Sequence, residues 1–259
     1  MWPPSSRGHG GMIGPDDTGS AGVEAMQWQR RRRLWDAALD FLVPPRCVGC
    51  GRRGADVCQS CSDAIQPLGP AICPRCARPS LEGRICDRCR TQLRALRAVL
   101  AAYPFEGVIR AAILAFKYRR CTRLAGFLAP ALLEALRSRP LSVDLIVPVP
   151  LSQARRSERG FNQSELLARN LATQLSRPLE AAALVRLRDT PQQTRLPARE
   201  RRRNVADAFG VADPAVVAGR RILLVDDVCT TGATLEACAS ALDRAGAQGV
   251  WAVVVAREA

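Results

Sequence analysis

Apolar and polar positions divide this chain into stretches of different period. Ile222, Leu223, Leu224 and Val225 form a short continuous apolar run, the mark of a strand buried on both faces. Leu235, Ala239 and Leu242 then recur at helical spacing up to a stop at Gly246. Val99 to Tyr103 reads as a first strand, placed at a sheet edge by the neighbouring Pro104. Val108, Ile109, Ala112, Ile113 and Phe116 trace a helix, with Lys117-Tyr118-Arg119-Arg120 as the cations suited to its C-terminus. Leu124 to Leu136 trace a second helix. Asp144 to Pro150 is a strand ending in a stiff turn, followed by a basic, Gly-containing loop over Arg155 to Gln163 and a helix from Ser164 through Leu175. Val205 to Val211 returns to the domain, and Val250 to Val255 forms the last strand. This alternation predicts an α/β domain with a parallel, doubly wound sheet.

Three stretches fall outside that rhythm. Residues 1 to about 28 are rich in Gly, Ser, Pro and Asp without periodicity, which predicts a disordered tail and also suits an over-extended translation start. Arg30 to Arg33 precede Leu34, Ala38, Phe41 and Leu42, a short amphipathic helix ended by Pro44-Pro45. Arg186 to Asn204 is too polar and too Pro-punctuated for a core element, as lids and linkers are, and it carries Arg195, Arg199 and Arg201 to Arg203. The expected division is a tail over 1–33, a cysteine-rich module over 34–92 linked through Thr91 to Arg97, and the α/β domain over 93–259.

Charge and composition narrow the picture. The 259 residues carry 38 Lys and Arg against 24 Asp and Glu, a formal net charge of +14 that implies an anionic partner, either a phosphorylated metabolite or nucleic acid. No run of 18 apolar residues exists and the basic N-terminus lacks the apolar stretch of a signal peptide, so a soluble cytoplasmic protein without a membrane span is expected.

Eight of the 11 cysteines fall in four Cys-x-x-Cys pairs: Cys47 and Cys50, Cys58 and Cys61, Cys73 and Cys76, Cys86 and Cys89. In a cytosolic chain such pairs mean metal rather than disulfides. Two knuckles complete a tetrahedral Cys₄ site, so eight thiolates match two structural zinc ions. Sequential pairing is the simplest, and spacing leaves a crossed arrangement open. Gly49 and Gly51 supply the freedom that a knuckle turn needs. Cys121, Cys229 and Cys238 lack partners at ligand spacing, and Cys229 has no histidine beside it to make it a nucleophile.

The richest chemistry lies in Val225-Asp226-Asp227-Val228-Cys229-Thr230-Thr231-Gly232-Ala233-Thr234, a strand, a tight turn and a helix N-terminus. Such a turn aims backbone N–H groups at one spot, and the helix dipole favours an anion there. Thr230, Thr231 and Thr234 add hydroxyl donors, and Gly232 allows close backbone approach. Asp226 and Asp227 accept hydrogen bonds, as two ribose hydroxyls would require. Phosphate and ribose together imply a 5-phosphoribosyl group. In an open α/β sheet the loop after Pro150 would lie near this one, outside the carboxyl ends of the strands.

This stretch resembles the diphosphoribose-binding loop of type I phosphoribosyltransferases. Together with the Cys-x-x-Cys series, Phe116-Lys117-Tyr118, Val147 to Pro150, Arg159-Gly160-Phe161-Asn162-Gln163 and Gln193 to Asn204, it makes the chain resemble the competence protein F family over residues 34 to 256. The resemblance implies a type I phosphoribosyltransferase-like parallel sheet flanked by helices, with a small N-terminal zinc-ribbon module. It implies that Asp226 and Asp227 hold the ribose hydroxyls, that Thr230, Thr231, Gly232, Ala233 and Thr234 hold the 5-phosphate with Val228 and Cys229 also among the phosphoribosyl-binding residues, and that Pro150, Leu151, Arg159 and Gly160 face pyrophosphate. Gln193 to Asn204 would be a hood, with Arg199 as a catalytic cation beside Asp226 and Asp227. Expected ligands are phosphoribosyl pyrophosphate, or a related sugar phosphate, with Mg²⁺, and the expected activity is ribosyl transfer with release of pyrophosphate. Expected partners are single-stranded DNA and other competence proteins. A second expectation keeps the pocket without transferase activity, in a protein that binds single-stranded nucleic acid.

Overall fold

The computed structural model describes residues 44–188 and 208–258. Arg46–Ala259 form one compact unit. In chain order the described elements begin with α1 (Gln59–Asp63), α2 (Asp87–Gln92), β1 (Leu96–Pro104), α3 (Gly107–Tyr118), α4 (Leu124–Arg137) and β2 (Leu145–Pro148). They continue with α5 (Gln153–Arg159), α6 (Gln163–Leu175), β3 (Leu184–Arg186), β4 (Phe209–Val211), α7 (Pro214–Val217), β5 (Arg221–Cys229), α8 (Ala233–Arg244) and β6 (Gly249–Arg257).

The main sheet has the order β1-β6-β5-β2, and every pairing in it is parallel. Parallel strands joined by crossover helices have both faces covered, which is why β5 and β6 are apolar without alternation. Ile222 to Val225 and Ala252 to Ala256 are all 0 % exposed. On one face Ile113 and Phe116 of α3, Leu128 and Leu132 of α4, and Leu167 and Leu171 of α6 pack on Ile146, Leu223, Val225 and Val253. On the other, Leu235, Cys238, Ala239 and Leu242 of α8 pack on Ile222, Leu224, Ala252 and Val254. Cys73, Cys76 and Cys89 share that second core. The short β3 and β4 pair antiparallel and bracket residues 189–207. Those residues, and with them the expected hood, lie outside the described residues, as do the tail and the helix over 34–42.

Several boundaries differ from the sequence reading. β5 does not stop before the acidic pair but runs through it, with Asp226 opposite Val254 and Cys229 opposite Arg257. The basic loop after Pro150 is half helix: Ser152 caps α5 by accepting from Arg155 N–H, and Gly160 at φ 81° ends it. The linker shrinks to Leu93–Ala95, because α2 reaches Gln92 and β1 starts at Leu96. Among the described residues no helix is long and apolar enough to cross a membrane.

Candidate functional site

The C-terminal end of β5 presents the two carboxylates. Asp227 is 4 % exposed, and its Oδ1 pairs with Lys117 Nζ at 2.7 Å. Asp226 Oδ1 accepts from Ser164 Oγ at 2.8 Å and from the Asp227 N–H at 2.9 Å. Burial, followed by the neighbouring Asp227 carboxylate, pushes the Asp226 carboxyl up to about 6, against the opposing pull of Lys117 and Ser164. The turn then passes through Thr230 and Thr231 to Gly232, which enters α8 with φ 78°. A β-carbon at Gly232 would meet only Cys229 Sγ, at 3.7 Å, so glycine is required there by backbone conformation rather than by protein crowding.

The facing wall comes from the end of β2 and the start of α6. Asn162 caps α6, accepting from Ser164 N–H at 3.1 Å, and its Nδ2 donates to Val149 O at 3.1 Å, which ties the helix to the strand end. Arg159 is 6 % exposed, donates from Nη1 to Gln163 Oε1 at 2.8 Å, and lies 5.0 Å from the centre of the Tyr118 ring. Arg159 Nε and Gln163 Nε2 are buried and have no hydrogen-bond partner among the described residues. Buried donors are almost always satisfied, so these two are exceptions in the wall of the site.

Between the walls lies a polar cavity of about 220 Å³. It brings together the expected Asp226, Asp227, Val228 and Thr234 on one side with Pro150, Leu151 and Arg159 on the other. Thr231, Gly232 and Ala233 instead line a second cavity, of about 260 Å³, toward the cysteine-rich segment. Gly160 serves as the left-handed stop of α5. Cys229 is 2 % exposed, and burial pushes its thiol up to about 11, so it is no nucleophile. Arg199 lies outside the described residues.

Sequence reading gives no site role to Lys117, Tyr118 and Gln163, although they stand in the motifs that carry the resemblance, and it passes over Ser164; all four line the first cavity. The pattern of the sequence alone places Lys117 at a helix terminus. A signal was present: it sits four residues after Ile113 and eight after Ile109, continuing the buried stripe of α3, and a lysine on a core-facing stripe needs an anionic partner.

The eight knuckle cysteines gather sequentially, as Cys47, Cys50, Cys58 and Cys61 and as Cys73, Cys76, Cys86 and Cys89, with the four sulfurs of each set within 4.8 Å of one another. Adjacent sulfurs stand 3.6 Å apart for Cys50 and Cys58, 3.7 Å for Cys76 and Cys86, and 3.8 Å for Cys73 and Cys89. A tetrahedron with zinc–sulfur bonds of about 2.3 Å has edges of about 3.8 Å, so both sets fit a structural zinc ion. The two sets repeat one design. Cys47 Sγ accepts from Cys58 N–H at 3.3 Å, and Cys73 Sγ from Cys86 N–H at 3.4 Å. Burial alone would raise the thiol of Cys47, but backbone N–H groups aimed at its sulfur bring it down to about 6, and likewise Cys73 to about 7. Gly49 is needed because a β-carbon there would stand 2.9 Å from Cys61 Sγ.

Two stretches of the chain are similar to known domains. Residues 38–90 match the double zinc ribbon domain, and residues 118–259 match the phosphoribosyl transferase domain. The chain is 35 % identical over 200 residues to the DNA utilization protein YhgH of Escherichia coli (strain K12), covering 75 % of this chain and 87 % of that one. It is 30 % identical over 216 residues to the competence protein ComFC of Bacillus subtilis (strain 168), covering 81 % and 87 %. Among solved structures, the glutamine phosphoribosylpyrophosphate amidotransferase from B. subtilis aligns at 21 % identity and a TM-score of 0.33, over 57 % of this chain and only 26 % of that enzyme.

Proposed function

The chain belongs to the competence protein F family of phosphoribosyltransferase-domain proteins with a double zinc ribbon, and from that premise we propose that it transfers a 5-phosphoribosyl group from phosphoribosyl pyrophosphate to a nitrogen acceptor. The observation that carries this reading is the arrangement around one cavity: the Asp226 and Asp227 carboxylates on one wall, and the donor side chains of Arg159 and Gln163 on the other. Asp226 and Asp227 would accept hydrogen bonds from the ribose hydroxyls. The Thr230 to Thr234 turn and the α8 N-terminus would take the 5-phosphate. Arg159 and Gln163 would supply donors to the pyrophosphate, beside Pro150 and Leu151, and Lys117 would add a cation within reach of the sugar.

In the reaction the C1–oxygen bond breaks with both electrons leaving on pyrophosphate, through an oxocarbenium-like centre. The acceptor nitrogen's lone pair forms the new C1–N bond, and its proton passes to solvent. Mg²⁺ bound with the substrate would supply neutralisation of the leaving group's charge. The residues' task is positioning and electrostatic stabilisation. The names of the relatives and the net charge of +14 favour a nucleic-acid setting for this chemistry, and a second reading in which single-stranded DNA binds while the pocket serves only as a ligand site.

Calorimetry with phosphoribosyl pyrophosphate and Mg²⁺ tests the pocket. Each charge-assisted hydrogen bond is worth roughly 1.5–3 kcal/mol, so Asp226→Asn with Asp227→Asn should weaken binding by a hundredfold or more. Unchanged affinity overturns the site. Absence of pyrophosphate release across a panel of nucleobases and nucleic acids, alongside salt-dependent binding of single strands, selects the second reading.

A further inference from the structure

We propose that Arg257 joins the second cysteine centre to the phosphate loop as one unit, so that metal held by Cys73, Cys76, Cys86 and Cys89 sets the geometry of Thr230 to Thr234. The functional consequence rests on the reading above, in which that loop takes a phosphate. The mechanical coupling does not.

Arg257 ends β6 opposite Cys229 and is 2 % exposed. Its Nε donates to Cys76 O at 2.7 Å, inside the metal knuckle, and its Nη1 donates to both Cys229 O and Thr230 O, where the loop begins. A buried guanidinium is costly unless its charge is answered, and among the described residues no carboxylate forms an ion pair with it. Four thiolates around one zinc ion carry a net charge of about −2, which makes the loaded centre the countercharge. Two further ties run the same way. Glu236, in the first turn of α8, accepts N–H bonds from Arg94, Ala95 and Leu96 at 2.7, 2.9 and 3.1 Å, which fixes the helix behind the loop to the segment leaving the second knuckle pair. Arg75, between Cys73 and Cys76, donates to Cys89 O at 3.3 Å and Leu96 O at 2.9 Å, and accepts at its carbonyl from Val99 N–H at 2.9 Å.

The first centre provides an internal control. Its neighbours Val48, Val57 and Ile65 pack with the core of the other sheet face, and its polar ties run from Asp56 to Cys121 and Arg123. Emptying it should leave the loop as it was.

The test compares backbone hydrogen exchange at Thr230 to Thr234 in the wild type, Cys58→Ser and Cys86→Ser proteins, with Leu223 and Val253 amides as the check that the sheet stays folded. Loss of the second ion should accelerate exchange at the loop about tenfold or more, the size expected for one charge-assisted hydrogen bond, while loss of the first should not. Stripping the Cys58→Ser protein with a chelator gives the same comparison without altering the second knuckle pair, should Cys86→Ser fail to fold. Arg257→Met should also release one of two zinc ions faster to a chromogenic chelator. Equal loop exchange after loss of either ion, or an Arg257→Met protein with wild-type exchange and zinc release, overturns the coupling. Ribose 5-phosphate calorimetry on the same proteins separates the two ideas. A wild type that fails to bind it sinks the functional reading while exchange still decides the coupling. Binding that survives loss of the second ion unchanged counts against the coupling's consequence for the site.

Discussion

Lys117 and Asp227 form the tightest electrostatic element of the candidate site, with side chains only 20 % and 6 % exposed and 2.7 Å between them. Removing one partner of a buried pair leaves the other charge unanswered and costs up to about 3–5 kcal/mol. Lys117→Met should therefore lower the unfolding midpoint, and Lys117→Met with Asp227→Asn should recover most of that loss, as a double-mutant cycle in denaturant would show. Asp226 behaves differently, because its carboxyl is pushed up to about 6 from an ordinary 3.8. A raised folded-state value means the protonated form is favoured by folding. Its contribution is full below the unfolded value and is lost as pH rises through about 6. The melting temperature of the ligand-free wild type should thus fall relative to Asp226→Asn between pH 4 and pH 7, and parallel curves across that window would show that the shift is absent.

At the scale of elements, turns decide more than periods do. The buried faces of α3, α4 and α8 were legible because apolar residues recur at helical spacing. Helix α5, Gln-Ala-Arg-Arg-Ser-Glu-Arg, has no apolar stripe and escaped notice, yet its Ser152 cap and its Gly160 stop were both in the sequence. In the sequence the charged Asp226 and Asp227 mark a strand end, whereas pairing with β6 carries β5 on to Cys229. The first knuckle depends on Gly49 for space: an added methyl carbon would press on the Cys61 sulfur at 2.9 Å. Gly49→Ala should cost one of two zinc ions by elemental analysis, and full zinc content would contradict that crowding.

For the molecule as a whole, the two metal centres are unequal. Cys73, Cys76 and Cys89 are 1–6 % exposed and belong to the core beneath α8, while of the first set only Cys47 is buried. Metal binding that organises part of a core contributes to folding stability. Purified protein should hold two zinc ions, and Cys86→Ser should lower the melting temperature more than Cys58→Ser does. Equal losses in the two variants would show that the second centre is no more integral to the domain than the first.

Local chemistry was legible in the chain's residues alone: the knuckles, the strand-turn-helix with its carboxylates and threonines, and the alternation that makes a parallel sheet. Each depends on residues within a few positions of one another, where spacing fixes geometry. What meets across long separations was set by folding. It paired Lys117 with Asp227, set Ser164 on Asp226, and left Arg159 and Gln163 as buried donors on the facing wall. It also resolved the cysteine pairing that spacing had left open, and carried Arg257 to Cys76, 181 residues away. The reason is physical: side-chain partners far apart in the chain are chosen by packing and by the need to answer buried charge, and neither leaves a period in the sequence.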